Sequence, residues 1–371
     1  MIQILLGGIT PQHFLREYWQ KKPLLVRNAI PGFSGLLSPA EVRQLACDED
    51  AESRLIFQRD NQWDLLRGPM QPRDFPRKGP WTTLVQGLNL LRDDADALLQ
   101  QFSFIPYARL DDLMVSYATD GGGVGPHFDS YDVFLLQGMG QRRWQVSAQR
   151  DLTLVEDAPL KILKHFKPTQ EWVLDPGDML YLPPRYAHDG VAIGECMTYS
   201  IGFRAPSAQE LGTEFLGWLS ENLQLSGMYA DPDLALARQP GRIPDAMIDQ
   251  VTDMLGKICW SRKDVARFLG EYLSEPKPHV FFDPPEEPLS EKRFLAQARR
   301  HGLRLDRRTQ ILYAAGEIHV NGEPGISVNP AFKQLADRRE LVPPADLDDE
   351  SQSLLHEWYS CGFIHIRQPG T

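Results

Sequence analysis

Between Asp111 and Arg204, short apolar runs alternate with Gly, Pro and Asp turns. The runs at 113–117, 131–136, 143–146, 179–182 and 197–203 are too short for helices and rich in Val, Phe, Tyr, Leu and Ile. Each is expected as a strand, and many such strands predict a sandwich or jelly roll. The opening residues 1–9 carry an apolar patch and read as one more strand. Thr10-Pro11 and Ser38-Pro39-Ala40-Glu41 read as helix starts, a hydroxyl before a proline, the second with Glu41 completing a capping box.

After Pro206 the period changes. Ser207 and Glu210 form a capping box, and Leu211, Phe215, Trp218 and Leu219 then fall on one helical face. Met247, Val251, Met254 and Leu255 repeat that spacing, as do Val265, Phe268, Leu269 and Tyr272. These faces suit either an oligomer contact or packing within the chain. Residues 276–288 are proline-rich and read as a linker. Beyond them the pattern predicts a helix at 290–299, strands at 310–314 and 317–320, an Asn321-Gly322 turn, helices near 330–336 and 350–360, and a strand at 363–367. The expected organisation is mixed β and α: a jelly roll over 1–206, a helical region over 207–275 and a winged-helix-like domain over 276–371.

Composition narrows the function classes. The 371 residues are 42% hydrophobic and 24% charged, which is globular. No apolar run approaches the roughly 20 residues that span a bilayer, so no membrane partner is expected. Cys47, Cys196, Cys259 and Cys361 form no CxxC motif, which argues against a zinc-thiolate site and fits a reducing cytoplasm. The net charge of −11 repels nucleic acid and suits a basic protein partner. In the C-terminal part Arg299, Arg300, Arg304, Arg307 and Arg308 cluster, but Asp346, Asp348, Asp349 and Glu350 oppose them, and DNA binding is not expected.

The chemistry is concentrated in Gly121-Gly-Gly-Val-Gly-Pro-His127-Phe-Asp129. In a strand, residues i and i+2 share a face, so His127 and Asp129 point together. His188 follows the turn Pro176-Gly177-Asp178, an apolar strand and Pro183-Pro184. Two histidines and a carboxylate make a facial triad that leaves coordination positions open, the usual site of non-heme iron(II) oxygenases. Arg142, 15 positions after His127, suits the distal carboxylate of 2-oxoglutarate, because a guanidinium grips a carboxylate through two parallel hydrogen bonds. Arg143 is its rival, and strand alternation lets only one point inward. Asp112, Met114 and Ser116 alternate along one strand. Ser116 is a candidate for the same carboxylate, Asp112 for a cationic substrate group, and Tyr131 for the pocket wall.

At these residues the chain resembles the JmjC oxygenases. Asp111–Ser116, Gly121–Phe134 and Tyr199–Pro206, together with the opening segment Phe14–Val26, are similar to the bacterial branch that hydroxylates arginine in ribosomal proteins. The resemblance implies a double-stranded β-helix (the JmjC or cupin jelly roll), then a helical dimerisation region and a winged-helix-like domain. It implies Fe(II), with 2-oxoglutarate and O2 as co-substrates. It implies iron on His127, Asp129 and His188, 2-oxoglutarate on Arg142 and Ser116, and the substrate arginine on Asp112, Tyr131 and Ser200. The substrate class it implies is a large-subunit ribosomal protein, oxidised at Cβ of arginine. Other readings of the same residues are a JmjC histidine hydroxylase or lysine demethylase, a cupin metal enzyme without 2-oxoglutarate, and a jelly-roll sensor with a DNA-binding C-terminal domain.

Overall fold

The computed structural model describes residues 2–59, 62–343 and 347–367. Met1 and Asp346 lie outside them. The chain forms two compact units: residues 1–205 with 278–282 and 306–308, and the remainder from Pro206 onward.

The first unit is built on strands β1 (Leu24–Val26), β2 (Ser53–Arg59), β3 (Gln62–Arg67), β4 (Trp81–Val85), β5 (Leu110–Ala118), β6 (Val133–Gln137), β7 (Gln141–Ser147), β8 (Gln170–Leu174), β9 (Met179–Leu182), β10 (Ala187–Ile193) and β11 (Cys196–Phe203). An eight-stranded sheet runs β1-β9-β6-β11-β5-β4-β2-β3, and a three-stranded sheet runs β10-β7-β8. Every pairing in both is antiparallel. The jelly roll expected from the strand pattern is therefore present.

Alternation explains the large sheet. On β5, Leu113, Val115 and Tyr117 enter one apolar core, which they share with Phe134 and Leu136 of β6 and Met197, Tyr199 and Ile201 of β11. Helices α1 (Ile2–Leu5), α2 (Pro11–Glu17), α3 (Pro39–Ala46), α4 (Leu88–Leu91) and α5 (Asp93–Gln100) contribute to that core. Phe14 of α2 is fully buried there, a contribution of about 2–3 kcal/mol for an aromatic side chain of that size. The opposite face carries Val133, Leu135, Leu180 and Leu182, which pack with Trp144, Val146 and Leu174 of the small sheet. On that same inner face, Asp112, Met114, Ser116, Thr198 and Ser200 are left to line a cavity.

The start of the chain departs from expectation: 2–5 is helical, not a strand. Consecutive Leu5 and Leu6 are both buried, which a strand packed on one face could not achieve, and Gly7 and Gly8 at positive φ then stop the helix. The capped helix starts follow the sequence. Thr10 accepts from the His13 N–H at 3.1 Å, and Ser38 with Glu41 forms the reciprocal box.

In the second unit, α6 (Ala208–Asn222), α7 (Asp245–Leu255) and α8 (Arg262–Ser274) match the three amphipathic segments. Ser207 and Glu210 form the expected box at the start of α6. A second core joins α9 (Glu291–His301), α10 (Pro330–Arg338) and α11 (Asp349–Ser360) to short strands β12 (Leu303–Leu305), β13 (Ile311–Ala314), β14 (Glu317–Val320), β15 (Ile326–Ser327), β16 (Glu340–Leu341) and β17 (Ile364–Ile366). Asn321 and Gly322 both take positive φ, 54° and 84°, in a turn closed by the Glu323 N–H donating to the Val320 carbonyl at 3.0 Å.

Candidate metal centre and pocket

His127 and Asp129 do not lie in a regular strand, as the spacing suggested. They sit on an extended loop before β6, joined to β10 by a single bridge between His127 and His188. His127 N–H donates to the His188 carbonyl at 2.9 Å, and His188 N–H donates back at 2.8 Å. The two imidazoles emerge side by side, with ring centroids 4.2 Å apart. One bridge suffices to align the ligands because residues directly opposite in an antiparallel pair share a face. Asp129 joins from two residues on, its carbonyl held by the Arg185 N–H at 2.7 Å. One ligand atom from each of His127, Asp129 and His188 lies within 4.8 Å of the others. Among the described residues this is the one such cluster.

The tautomers follow from the neighbours. Nδ1 of His127 lies 2.9 Å from the Gly125 carbonyl, and Nδ1 of His188 lies 2.9 Å from the Tyr186 carbonyl. A carbonyl only accepts, so each Nδ1 must donate and each Nε2 keeps its lone pair for a metal. Burial, with the neighbouring His127, drives the His188 imidazole down to about 4, although Asp129 opposes the shift. His188 is therefore neutral near pH 7 before any metal arrives. Its Nε2 lies 3.6 Å from Asp129 Oδ2. Two imidazoles and one carboxylate suit a divalent cation such as Fe(II).

The triad opens into a cavity of about 440 Å³ between the sheets. Arg142 and Trp144 of β7 point inward, whereas Arg143 is exposed on the other face, so alternation decides between the two arginines. Arg142 is only 3% exposed, and its Nε and Nη2 meet no acceptor among the described residues. A buried guanidinium without a partner is costly, and a bidentate carboxylate would satisfy it. Ser116 is buried nearby on β5, its hydroxyl donating to the Thr198 carbonyl at a long 3.3 Å. An anion with an apolar spacer, such as 2-oxoglutarate, fits this combination of buried cation and aliphatic wall (Val133, Leu135).

The remaining expected residues line the same cavity. Asp112 is buried, accepts from the Gly87 N–H at 3.0 Å, and has room because Gly202 opposite carries no side chain. Tyr131 stands at the mouth, 39% exposed; burial and the carboxylates of Asp129 and Asp112 push its phenol up, so it stays protonated and can donate. Ser200 of β11 is buried and paired in register with Met114 and Leu135. Sequence reading missed Trp144, Thr198, Arg54 and Lys161, which also line the cavity. Trp144 was accessible to reasoning, since it follows Arg142 at i+2. Arg54 was not, because only the pairing of β2 with β4 brings it there.

Comparisons with known proteins agree with this geometry. The JmjC domain family matches residues 97–211, and a ROXA-like winged helix family matches 254–365. The chain is 33% identical over 335 residues to the ribosomal protein uL16 3-hydroxylase of Escherichia coli, covering 89% of each chain. It is 42% identical over 237 residues to a probable ribosomal oxygenase of Haemophilus influenzae, covering 62% of this chain and 56% of that one. A structure of the Escherichia coli ribosomal oxygenase YcfD in complex with cobalt and 2-oxoglutarate superposes with a TM-score of 0.81 at 30% identity, over 96% of this chain and 98% of that one. The chain belongs to the JmjC-domain ribosomal oxygenases.

Proposed function

We propose that the protein is an Fe(II)- and 2-oxoglutarate-dependent oxygenase that hydroxylates Cβ of an arginine in a large-subunit ribosomal protein. The observation that carries this reading is the buried, unpartnered guanidinium of Arg142 in the cavity that the His127, Asp129 and His188 ligands open into. A cation site and an anion site in one cavity are what a chelating keto acid requires. The relative named for uL16 3-hydroxylation supplies the substrate class, and uL16 is the first protein to test.

In this reading His127, Asp129 and His188 hold the iron. Bound iron supplies the redox chemistry that couples oxidative decarboxylation of 2-oxoglutarate by O2 to hydroxylation of a C–H bond. Arg142 grips the distal carboxylate of 2-oxoglutarate and Ser116 donates to it. Asp112 holds the substrate guanidinium, Tyr131 donates from the mouth, and Ser200 completes the contact. The two sheets keep water away from the reacting carbon and fix its position, and positioning of this kind supplies a large share of catalysis.

Replacing the arginines of uL16 by lysine one at a time tests the substrate assignment. One replacement should abolish the oxygen gain, and gain surviving every replacement would point to the histidine-hydroxylase alternative. Loss of about 14 Da from a methylated lysine, the mass of one CH2, would point to the demethylase.

We also take residues 1–206 as the catalytic domain, 207–275 as a homodimer contact and 276–371 as the winged-helix-like domain. Exposed Leu216, Met228, Leu236, Ile248, Leu255 and Trp260 support the dimer, because an apolar surface this broad is unusual on a monomer. Light scattering on the full chain tests it: a monomer at micromolar concentration would contradict it. A cytoplasmic location fits the ribosomal substrate, and no helix among the described residues is long and apolar enough to cross a membrane.

A further inference from the structure

The cavity has a wall that the triad and the 2-oxoglutarate contacts do not use. Arg54 of β2 pairs with Leu84 of β4, Leu84 pairs with Ser116 of β5, and Ser116 pairs with Thr198 of β11. Directly paired residues share a face, so the register places Arg54 on the cavity floor, two strands from Ser116 and roughly 10 Å away by strand spacing. Ile56, Leu65 and Leu84 flank it as further cavity lining.

The Arg54 guanidinium lacks acceptors. Its Nε is buried with no hydrogen-bond partner among the described residues, and its Nη2 meets only the Met114 thioether at 4.0 Å. No carboxylate of the described residues forms an ion pair with it. Directly across the ladder stands another cation, Arg67, exposed to solvent. Like charges directly opposite on a sheet are unfavourable, so this corner is not arranged for stability alone.

We propose that Arg54 is a substrate-positioning residue: its guanidinium donates to a main-chain carbonyl of the substrate segment next to the residue that enters the metal site. This inference rests on the ribosomal-protein substrate reading. A main-chain carbonyl is the acceptor that a substrate segment offers whatever its side chains, and a substrate carboxylate is the competing outcome of the test below. The cation at Arg54 also keeps a substrate guanidinium off this wall and directs it to Asp112. Ile56, Leu65 and Leu84 cover the apolar parts of the same segment.

The test uses the full-length protein with Mn(II) and 2-oxoglutarate for binding, and with Fe(II) for turnover. The probes are recombinant uL16 and uL16 peptides carrying one backbone ester each, since an ester carbonyl is a weaker acceptor than an amide. Arg54→Met should weaken uL16 binding and raise its KM by about tenfold or more, the loss of one charge-assisted hydrogen bond. The KM for 2-oxoglutarate should stay at its wild-type value and the thermal midpoint should not fall, which a merely structural role would not allow. Arg54→Lys should recover part of the affinity. One ester position should weaken binding to the wild type and leave Arg54→Met unaffected. Equal uL16 affinity in wild type and a folded Arg54→Met overturns the proposal. A sensitive acidic residue in uL16, in place of a sensitive ester, overturns the carbonyl assignment. If the wild type neither binds nor oxidises uL16, the substrate reading itself fails and this inference falls with it.

Discussion

His127 and His188 exchange both backbone hydrogen bonds, at 2.9 and 2.8 Å, although neither neighbouring strand extends through His127. The main chain thus fixes the two imidazoles of the candidate metal site relative to one another. The expected consequence is that His127→Ala and His188→Ala each lose visible Co(II) absorption and turnover, while the far-UV circular dichroism keeps its strand signal. Retention of the Co(II) spectrum in either variant would move the metal elsewhere.

Gly190 faces Trp144 across the β7–β10 ladder, and a Cβ there would lie 2.5 to 2.8 Å from the indole ring. The ring cannot withdraw without leaving its place beside His188, where the ring centroids are 5.9 Å apart. Gly190→Ala should therefore destabilise the protein by about 1–3 kcal/mol, the usual cost of overpacking, and weaken Co(II) binding. Urea denaturation with a Co(II) titration checks both effects, and a wild-type midpoint would show that the ring is free to move.

In its proposed role Arg142 sets function against stability. Its unpartnered, buried guanidinium penalises the ligand-free fold, so Arg142→Met should equal or exceed the wild type in thermal midpoint without 2-oxoglutarate. Added 2-oxoglutarate with Mn(II) should then raise the wild-type midpoint and leave Arg142→Met unmoved, since stabilisation follows binding. A variant stabilised as much as the wild type would place the carboxylate grip on another residue.

The sequence made the triad legible because His127, Asp129 and His188 come with strong local punctuation, a glycine run on one side and a Pro-Gly turn with a double proline on the other. It also revealed the short apolar runs that became β5, β6, β7, β9 and β11. What it hid depends on register. Arg54 reaches the cavity only because β2 pairs with β4 and β4 with β5, a long-range choice that no local pattern encodes. The opening helix was hidden for a related reason: four residues carry too little periodicity to separate a helix from a strand, and the burial of both Leu5 and Leu6 decides it.

The second unit carries its own pH signature. Arg267 pairs with both oxygens of Glu317 at 2.7 and 2.8 Å, and Lys263 stands 3.2 Å away. The Arg267 hydrogen bonds lead in holding the Glu317 carboxyl down at about 2. Because the folded-state pKa is depressed, the stabilisation is present above the ordinary value of 4.5 and is lost as pH falls towards 2. After discounting for solvent at this surface, Glu317→Gln should cost about 1–2 kcal/mol at pH 7 and nearly nothing at pH 2. Denaturation of the full chain followed by Trp fluorescence at both pH values checks this; an equal loss at the two would assign the effect to packing.

In the proposed reaction one oxygen atom passes to an arginine of a ribosomal protein at the expense of 2-oxoglutarate. The direct measurement is intact-mass and fragment-ion spectrometry of uL16 after incubation with the protein, Fe(II), 2-oxoglutarate and air, with succinate followed in parallel. A gain of about 16 Da, one oxygen, on a single arginine, with matching succinate, is expected. Unchanged uL16 with no succinate formed would contradict it.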